Sequence, residues 1–140
     1  MDFKNANELL TLCKEQNISI SEVMRNREII TGECPAKEAD QKMARVLEIM
    51  KEAARSPIEK PIRSMGGLIG GEAQKLAHHS ASGQGLCGEL LEEAITYAMA
   101  TLETNASMGL IVASPTAGSA GIVPGLLLAF QEVYHFSDKK

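Results

Sequence analysis

Residues 104–131 carry no charged side chain, in a chain of 140 residues that holds 14 Lys and Arg and 18 Asp and Glu elsewhere. A run of that length could in principle cross a bilayer, for which about 20 apolar residues suffice. Pro115, Gly118, Gly121, Pro124 and Gly125 break it as a membrane helix, and Ser, Thr and Asn recur through it. The segment reads instead as irregular, small-residue backbone packed inside protein. Its uncharged polar groups must bond to each other or to a ligand. No membrane partner is expected.

Charge is concentrated upstream. Residues 1–63 hold 11 basic and 11 acidic side chains, and residues 64–140 only 3 and 7. A net charge of -4 lacks the basic excess that displaces counterions from nucleic acid, so no nucleic-acid partner is expected. Hydrophobic residues make up 44% and aromatics 4%, with no Trp. A core made from Leu, Ile, Met, Val and Ala favours helices. The start, Met1-Asp2-Phe3-Lys4-Asn5, has no apolar signal region, which points to the cytoplasm. Cys13, Cys34 and Cys87 are too scattered for a disulfide framework and lack C-x-x-C spacing, so they read as free thiols and no metal ligand is assigned.

The expected fold is mainly α, a helical domain with irregular glycine-rich loops. Asn5 with Glu8, and Ser19 with Glu22, read as helix starts. Gly32 stops the second helix and Pro35 opens a third, which Ser56-Pro57 is expected to end. The composition changes near residues 56–63, which divides the chain into a helical scaffold, 1–60, and a second domain, 61–140. The second part predicts a short helix over 72–79, a turn over 80–85 and a long helix over 87–103. Leu90, Leu91, Ala94, Ile95, Ala98 and Leu102 line one side of that long helix. Asn105 interrupts it, Ile111-Val112-Ala113 reads as a short extended piece, and Pro124 sits in the first turn of a last helix reaching about residue 135.

Three stretches combine glycine with small hydrogen-bonding groups. In Ser64-Met65-Gly66-Gly67-Leu68-Ile69-Gly70-Gly71-Glu72, glycines precede a helix, but Glu72 stands where a phosphate loop has Lys. Free amides there suit a smaller anion such as a carboxylate, or they simply make a tight turn. Asn105-Ala106-Ser107-Met108-Gly109 and Pro115-Thr116-Ala117-Gly118-Ser119-Ala120-Gly121 suit fixed dipoles aimed at a bound group, or close backbone packing. His78 and His79 are adjacent, point to different sides of a helix and read as surface residues.

These three stretches, with Ile20-Ser21-Glu22-Val23-Met24, resemble the alpha subunit of bacterial iron–sulfur-dependent L-serine dehydratase, and the likeness runs over essentially the whole chain. The resemblance implies a lyase that converts L-serine to pyruvate and ammonia without pyridoxal phosphate. It implies a four-iron four-sulfur cluster in the complete enzyme, with its cysteine ligands outside this chain. It also implies that this chain is the amino-terminal half of a longer all-α catalytic subunit, inactive alone. A beta subunit or the remaining half of the alpha subunit would be its partner, in a homo-oligomer. Many members have Cys where this chain has Ala120. Candidate substrate contacts are Ser64, the amides of Gly66, Gly67, Gly70 and Gly71, and Asn105, Thr116 and Ser119. No general base is identified. Two other readings stay open: a helical interaction module built on the uncharged segment, and a pyridoxal-phosphate lyase, for which Lys60 and Lys75 are the lysines nearest the glycine-rich region.

Overall fold

The computed structural model describes residues 2–138. Those residues form six α-helices and one 3-10 turn, with no strand among them. The mainly α fold expected from composition is what the chain adopts. Two compact units divide it, Met1–Arg45 and Val46–Lys140.

The first unit holds α1 (Ala6–Gln16), α2 (Ile20–Thr31) and the start of α3 (Ala36–Glu59). Asn5 Oδ1 accepts from the Glu8 N–H at 3.0 Å, which satisfies an amide the helix itself leaves unpaired. Ser19 and Glu22 cap α2 reciprocally, as the sequence predicts. Val23 is fully buried, and α1 and α2 pack together. The Arg25 guanidinium grips Asp40 through two N–H donors at 2.7 and 2.8 Å, tying α2 to α3.

The second unit contains the rest of α3, α4 (Glu72–Ala81), α5 (Glu89–Ala106), the 3-10 turn (Ala117–Ser119) and α6 (Ile122–Val133). Its core gathers Ala54, Ala94, Tyr97, Leu128 and Ala129, with Ile58 and Leu90 packed against it. Small residues set the spacing between α5 and α6. A Cβ on Gly121 would lie 2.6 Å from the Ala98 carbonyl oxygen, and one on Gly125 2.7 Å from that of Ala94. Arg55 donates to Glu132 at 2.7 Å, and Lys51 pairs with Asp138, so α3 is tied to the end of α6 and the residues after it. Burial and a hydrogen bond to Glu132 push the Tyr97 phenol well above its usual range, so it stays neutral.

Three expectations need correction. α3 runs through Pro57 rather than ending there. Proline lacks the N–H that would bond the carbonyl of Ala53, four residues back. The Thr104 hydroxyl donates to that oxygen instead, at 2.8 Å, so the proline orphans nothing. Second, Leu91, Ile95 and Leu102 face solvent. The buried side of α5 is instead Ala94, Thr96, Tyr97, Ala100, Thr101, Glu103 and Thr104. Small side chains let α6 approach closely, and hydrogen bonds along the helix absorb the threonines, as in the 2.9 Å bond from Thr101 Oγ1 to the Tyr97 oxygen. Third, Asn105 lies within the last turn of α5, and residues 111–113 form no regular element.

Candidate functional site

Ser64 closes the glycine-rich loop. Its N–H donates to the Ile69 oxygen at 2.8 Å, and its own oxygen accepts from the Gly67 N–H at 2.9 Å. Its Oγ accepts from the Ile69 N–H at 3.1 Å. Gly66 and Gly67 lie at the exposed tip, where Gly67 has φ 71°. The loop then turns back through Gly70 and Gly71, at φ 144° and 93°, into the first turn of α4. The amides there already hold carboxyl groups of this chain. Gly70 N–H donates to Glu72 at 2.6 Å. Gly71 N–H and Ala73 N–H donate to the two oxygens of Glu103, at 3.1 and 2.8 Å. Glu103 is 1% exposed. The start of α4 supplies the positive end of a helix dipole, which helps keep a carboxyl group inside protein.

The other two motifs meet at the end of α5. Asn105-Ala106-Ser107-Met108-Gly109 terminates that helix. Ser107 N–H donates to the Glu103 oxygen at 3.0 Å, Gly109 N–H to that of Thr104 at 2.8 Å, and Met108 takes φ 63°. Gly109 has no room for a side chain, since a Cβ would lie 2.7 Å from the Thr104 methyl. The Asn105 amide donates to the Ala117 oxygen at 3.1 Å, which fastens the third motif to the helix. Within that motif Thr116 caps the 3-10 turn. Its Oγ1 accepts from the Ser119 N–H at 3.3 Å and lies 3.0 Å from Ser119 Oγ. Where Ser119 Oγ is the donor in that 3.0 Å pair, the exposed Thr116 hydroxyl keeps its own hydrogen for a bound acceptor. The Ser114–Pro115 peptide just before it is cis.

One helical turn therefore organises the region. Glu103 holds the glycine loop and α4, Thr104 holds α3, and Asn105 holds the Thr116 turn. Two open grooves of about 400 and 370 Å³ lie at the other end of α5 and include none of the sequence-predicted site residues.

Among the described residues no three His, Cys, Asp or Glu side chains converge as a metal site. Cys13, Cys34 and Cys87 are all free thiols, the first two in one unit and the third in the other. The donors on this chain thus do not fit an iron–sulfur cluster, which needs several thiolates around one centre. His78 and His79 are exposed, as read from their spacing. No described helix is long and apolar enough to cross a membrane.

The serine dehydratase alpha chain family matches residues 15–140. The chain belongs to that family. It is 43% identical over 130 residues to a protein of Bacillus subtilis (strain 168) named probable L-serine dehydratase, alpha chain, covering 93% of this chain and 43% of that protein. It is 34% identical over 131 residues to the L-serine dehydratase, alpha chain, of Peptoniphilus asaccharolyticus, covering 94% and 45%. An L-serine dehydratase of Helicobacter pylori (strain ATCC 700392 / 26695) is 32% identical over 133 residues, covering 91% and 28%. This chain thus spans less than half the length of each of these relatives. No solved structure matches it significantly.

For this member of the serine dehydratase alpha chain family, the sequence missed two carboxyl groups that shape the region. Glu103 carries one weak signal: it is the last charge before the uncharged run. Glu92 carries none. It accepts from Ser80 Oγ at 2.6 Å and from the Cys87 N–H at 3.1 Å, pinning the loop between α4 and α5. These hydrogen bonds, Ser80 first, hold the Glu92 carboxyl below its ordinary range. The Gly70 N–H, then the backbone N–H of Glu72 itself, do the same for Glu72. Lys51 and Arg25 lower Asp138 and Asp40, and Ser19 lowers Glu22.

A carboxylate with a depressed folded pKa stabilises the fold above its unfolded value and ceases to do so as pH falls through the folded one. Burial raises Glu93, which acts in the opposite sense. With five lowered groups against that one, the melting temperature of the chain should be level from about pH 7 to about pH 5 and fall below about pH 4. A melting temperature that rises on acidification through that range would contradict this.

Proposed function

We propose that this chain acts in the conversion of L-serine to pyruvate and ammonia, as the part of an L-serine dehydratase alpha chain that supplies substrate contacts. Residues 61–140 are the first half of the catalytic domain and residues 1–60 an amino-terminal helical scaffold. The family match, and the names its relatives carry, support this reading over an interaction module or a pyridoxal-phosphate lyase. The observation that carries it is the last turn of α5, which hydrogen-bonds both the glycine loop and the Thr116 turn.

Serine dehydration removes the α-proton and the β-hydroxyl, and the aminoacrylate formed then tautomerises and hydrolyses. The part of this chain is to fix the substrate carboxylate with neutral donors. The Thr116 hydroxyl, with the Ser64 hydroxyl and the Gly66 amide, is the donor set; Ser119 Oγ orients Thr116, and the Gly67 N–H is already given to the Ser64 oxygen. A four-iron four-sulfur cluster belongs to the complete enzyme and is held by protein outside these 140 residues. That placement is supported by the lack of a converging thiolate set among the described residues and by the greater length of the relatives. The partner is a beta subunit or the remainder of an alpha chain, in a homo-oligomer working in the cytoplasm. The solvent-facing Leu91, Ile95, Leu102, Leu126 and Leu127 give such a partner an apolar surface to cover.

The experiment compares wild type with Thr116→Val in the assembled holoenzyme. Loss of a hydrogen bond to a charged group costs about 1.5–3 kcal/mol, so KM for L-serine should rise roughly 10- to 150-fold. The 140-residue chain alone, given iron and sulfide, should show no turnover. A wild-type KM in Thr116→Val, or full turnover by the chain alone, would overturn the corresponding part of the proposal.

A further inference from the structure

We propose that Glu103 is a positioning residue for this reaction, setting the register of the two substrate-contacting loops against each other. This rests on the reading that those loops contact substrate.

Glu103 is among the largest fully buried side chains of the molecule, yet it is a carboxyl group. Two backbone amides rather than a cation hold it, Gly71 at 3.1 Å and Ala73 at 2.8 Å. A buried carboxyl is costly to keep unless its oxygens are bonded, and here both are used. The bonds cross 32 and 30 residues of sequence, so they fix tertiary placement rather than local conformation. An apolar residue of similar size would fill the space but leave the Gly71 and Ala73 amides without acceptors.

What makes the side chain more than a structural peg is where its backbone lies. Glu103 and Asn105 belong to the same helical turn, and Asn105 carries the Thr116 turn through the Ala117 oxygen. A shift of the Glu103 carboxyl therefore moves the glycine loop, which it grips at the Gly71 amide, relative to the Thr116 hydroxyl. The intervening Thr104 anchors the turn to α3, so the helix itself cannot follow the loop. Misplacement by even about 1 Å of groups that orient a substrate can cost on the order of 100-fold in rate.

The test uses Glu103→Gln and Glu103→Asp in the holoenzyme, with Thr116→Val as the direct-contact comparison. Glutamine keeps one acceptor oxygen and turns an amide NH2, a donor, toward the other N–H. Aspartate keeps both acceptors but is one methylene shorter, so it can retain the bonds only by drawing the loop toward α5. The expected result is a KM for L-serine raised at least 10-fold in both variants. Aspartate should restore the melting temperature lost in glutamine but not the KM. A purely structural role would restore both together, and that outcome would overturn the proposal. So would a wild-type KM in Glu103→Gln. If neither variant folds, amide hydrogen exchange on the unmodified 140-residue chain decides. The Gly71 and Ala73 amides should exchange at least 100-fold more slowly than the Gly66 amide at the loop tip, and equal rates would overturn the proposal. If Glu103→Gln behaves as wild type while Thr116→Val raises KM, positioning by Glu103 falls and the functional reading stands. If the wild-type holoenzyme does not turn over L-serine, the functional reading falls, and the proposal with it.

Discussion

Gly125→Val is expected to abolish cooperative unfolding of the chain, or to lower its denaturant midpoint further than any substitution in the exposed loops. Even a methyl group at that position meets backbone: the Ala94 oxygen at 2.7 Å and the Ala98 nitrogen at 3.2 Å. A crowded side chain can rotate away, but a helix backbone cannot. α5 and α6 would have to separate, and the core they share holds Ala94, Tyr97, Leu128 and Ala129. Overpacking a core typically costs about 1–3 kcal/mol. Displacing a whole helix adds the loss of burial around it, against a total stability of about 5–15 kcal/mol for an ordinary domain. Urea titration followed by circular dichroism reads the effect. Gly66→Ala, where nothing lies within 4 Å of the added carbon, should stay within about 0.5 kcal/mol of wild type. A midpoint for Gly125→Val equal to that of Gly66→Ala would show that the two helices do not pack as closely as described.

Gly70→Ala should have the second largest effect, this time on function. Its φ of 144° lies in a region that side chains rarely adopt, and the new carbon would sit 2.0 Å from the Ile62 oxygen and 2.8 Å from the Arg63 Cα. The stretch of loop running from Pro61 to Ser64 would have to move. With it would go the Ser64 closure and the Gly70 N–H bond to Glu72. Activity of the holoenzyme on L-serine should fall at least about 100-fold, the scale expected when orienting groups shift by an ångström. The nearest clashes are with Ile62 and Arg63, outside α5 and α6, so helical content should persist. Wild-type kcat/KM in this variant would remove the glycine loop from the substrate site.

Local chemistry was legible in the sequence. The caps at Asn5 and Ser19 need only groups within three residues of each other, and both form. The helical class followed from a core with few aromatics, made from Leu, Ile, Met, Val and Ala. The family resemblance was legible because the glycine- and proline-bearing motifs are contiguous.

Tertiary structure alone decided the rest, because it settled which distant group meets which. Pro57 reads as a helix end until the Thr104 hydroxyl, 51 residues from Ala53, takes the carbonyl that the proline leaves without a partner. The leucines line one side of α5 in sequence, yet Gly121 and Gly125 make the alanine side the one that α6 can approach. Glu103 is not singled out in the sequence, yet two amides from the start of α4 hold it inside. In each case the sequence supplies a polar or bulky group whose cost depends on a partner far along the chain, and folding is what brings that partner into reach.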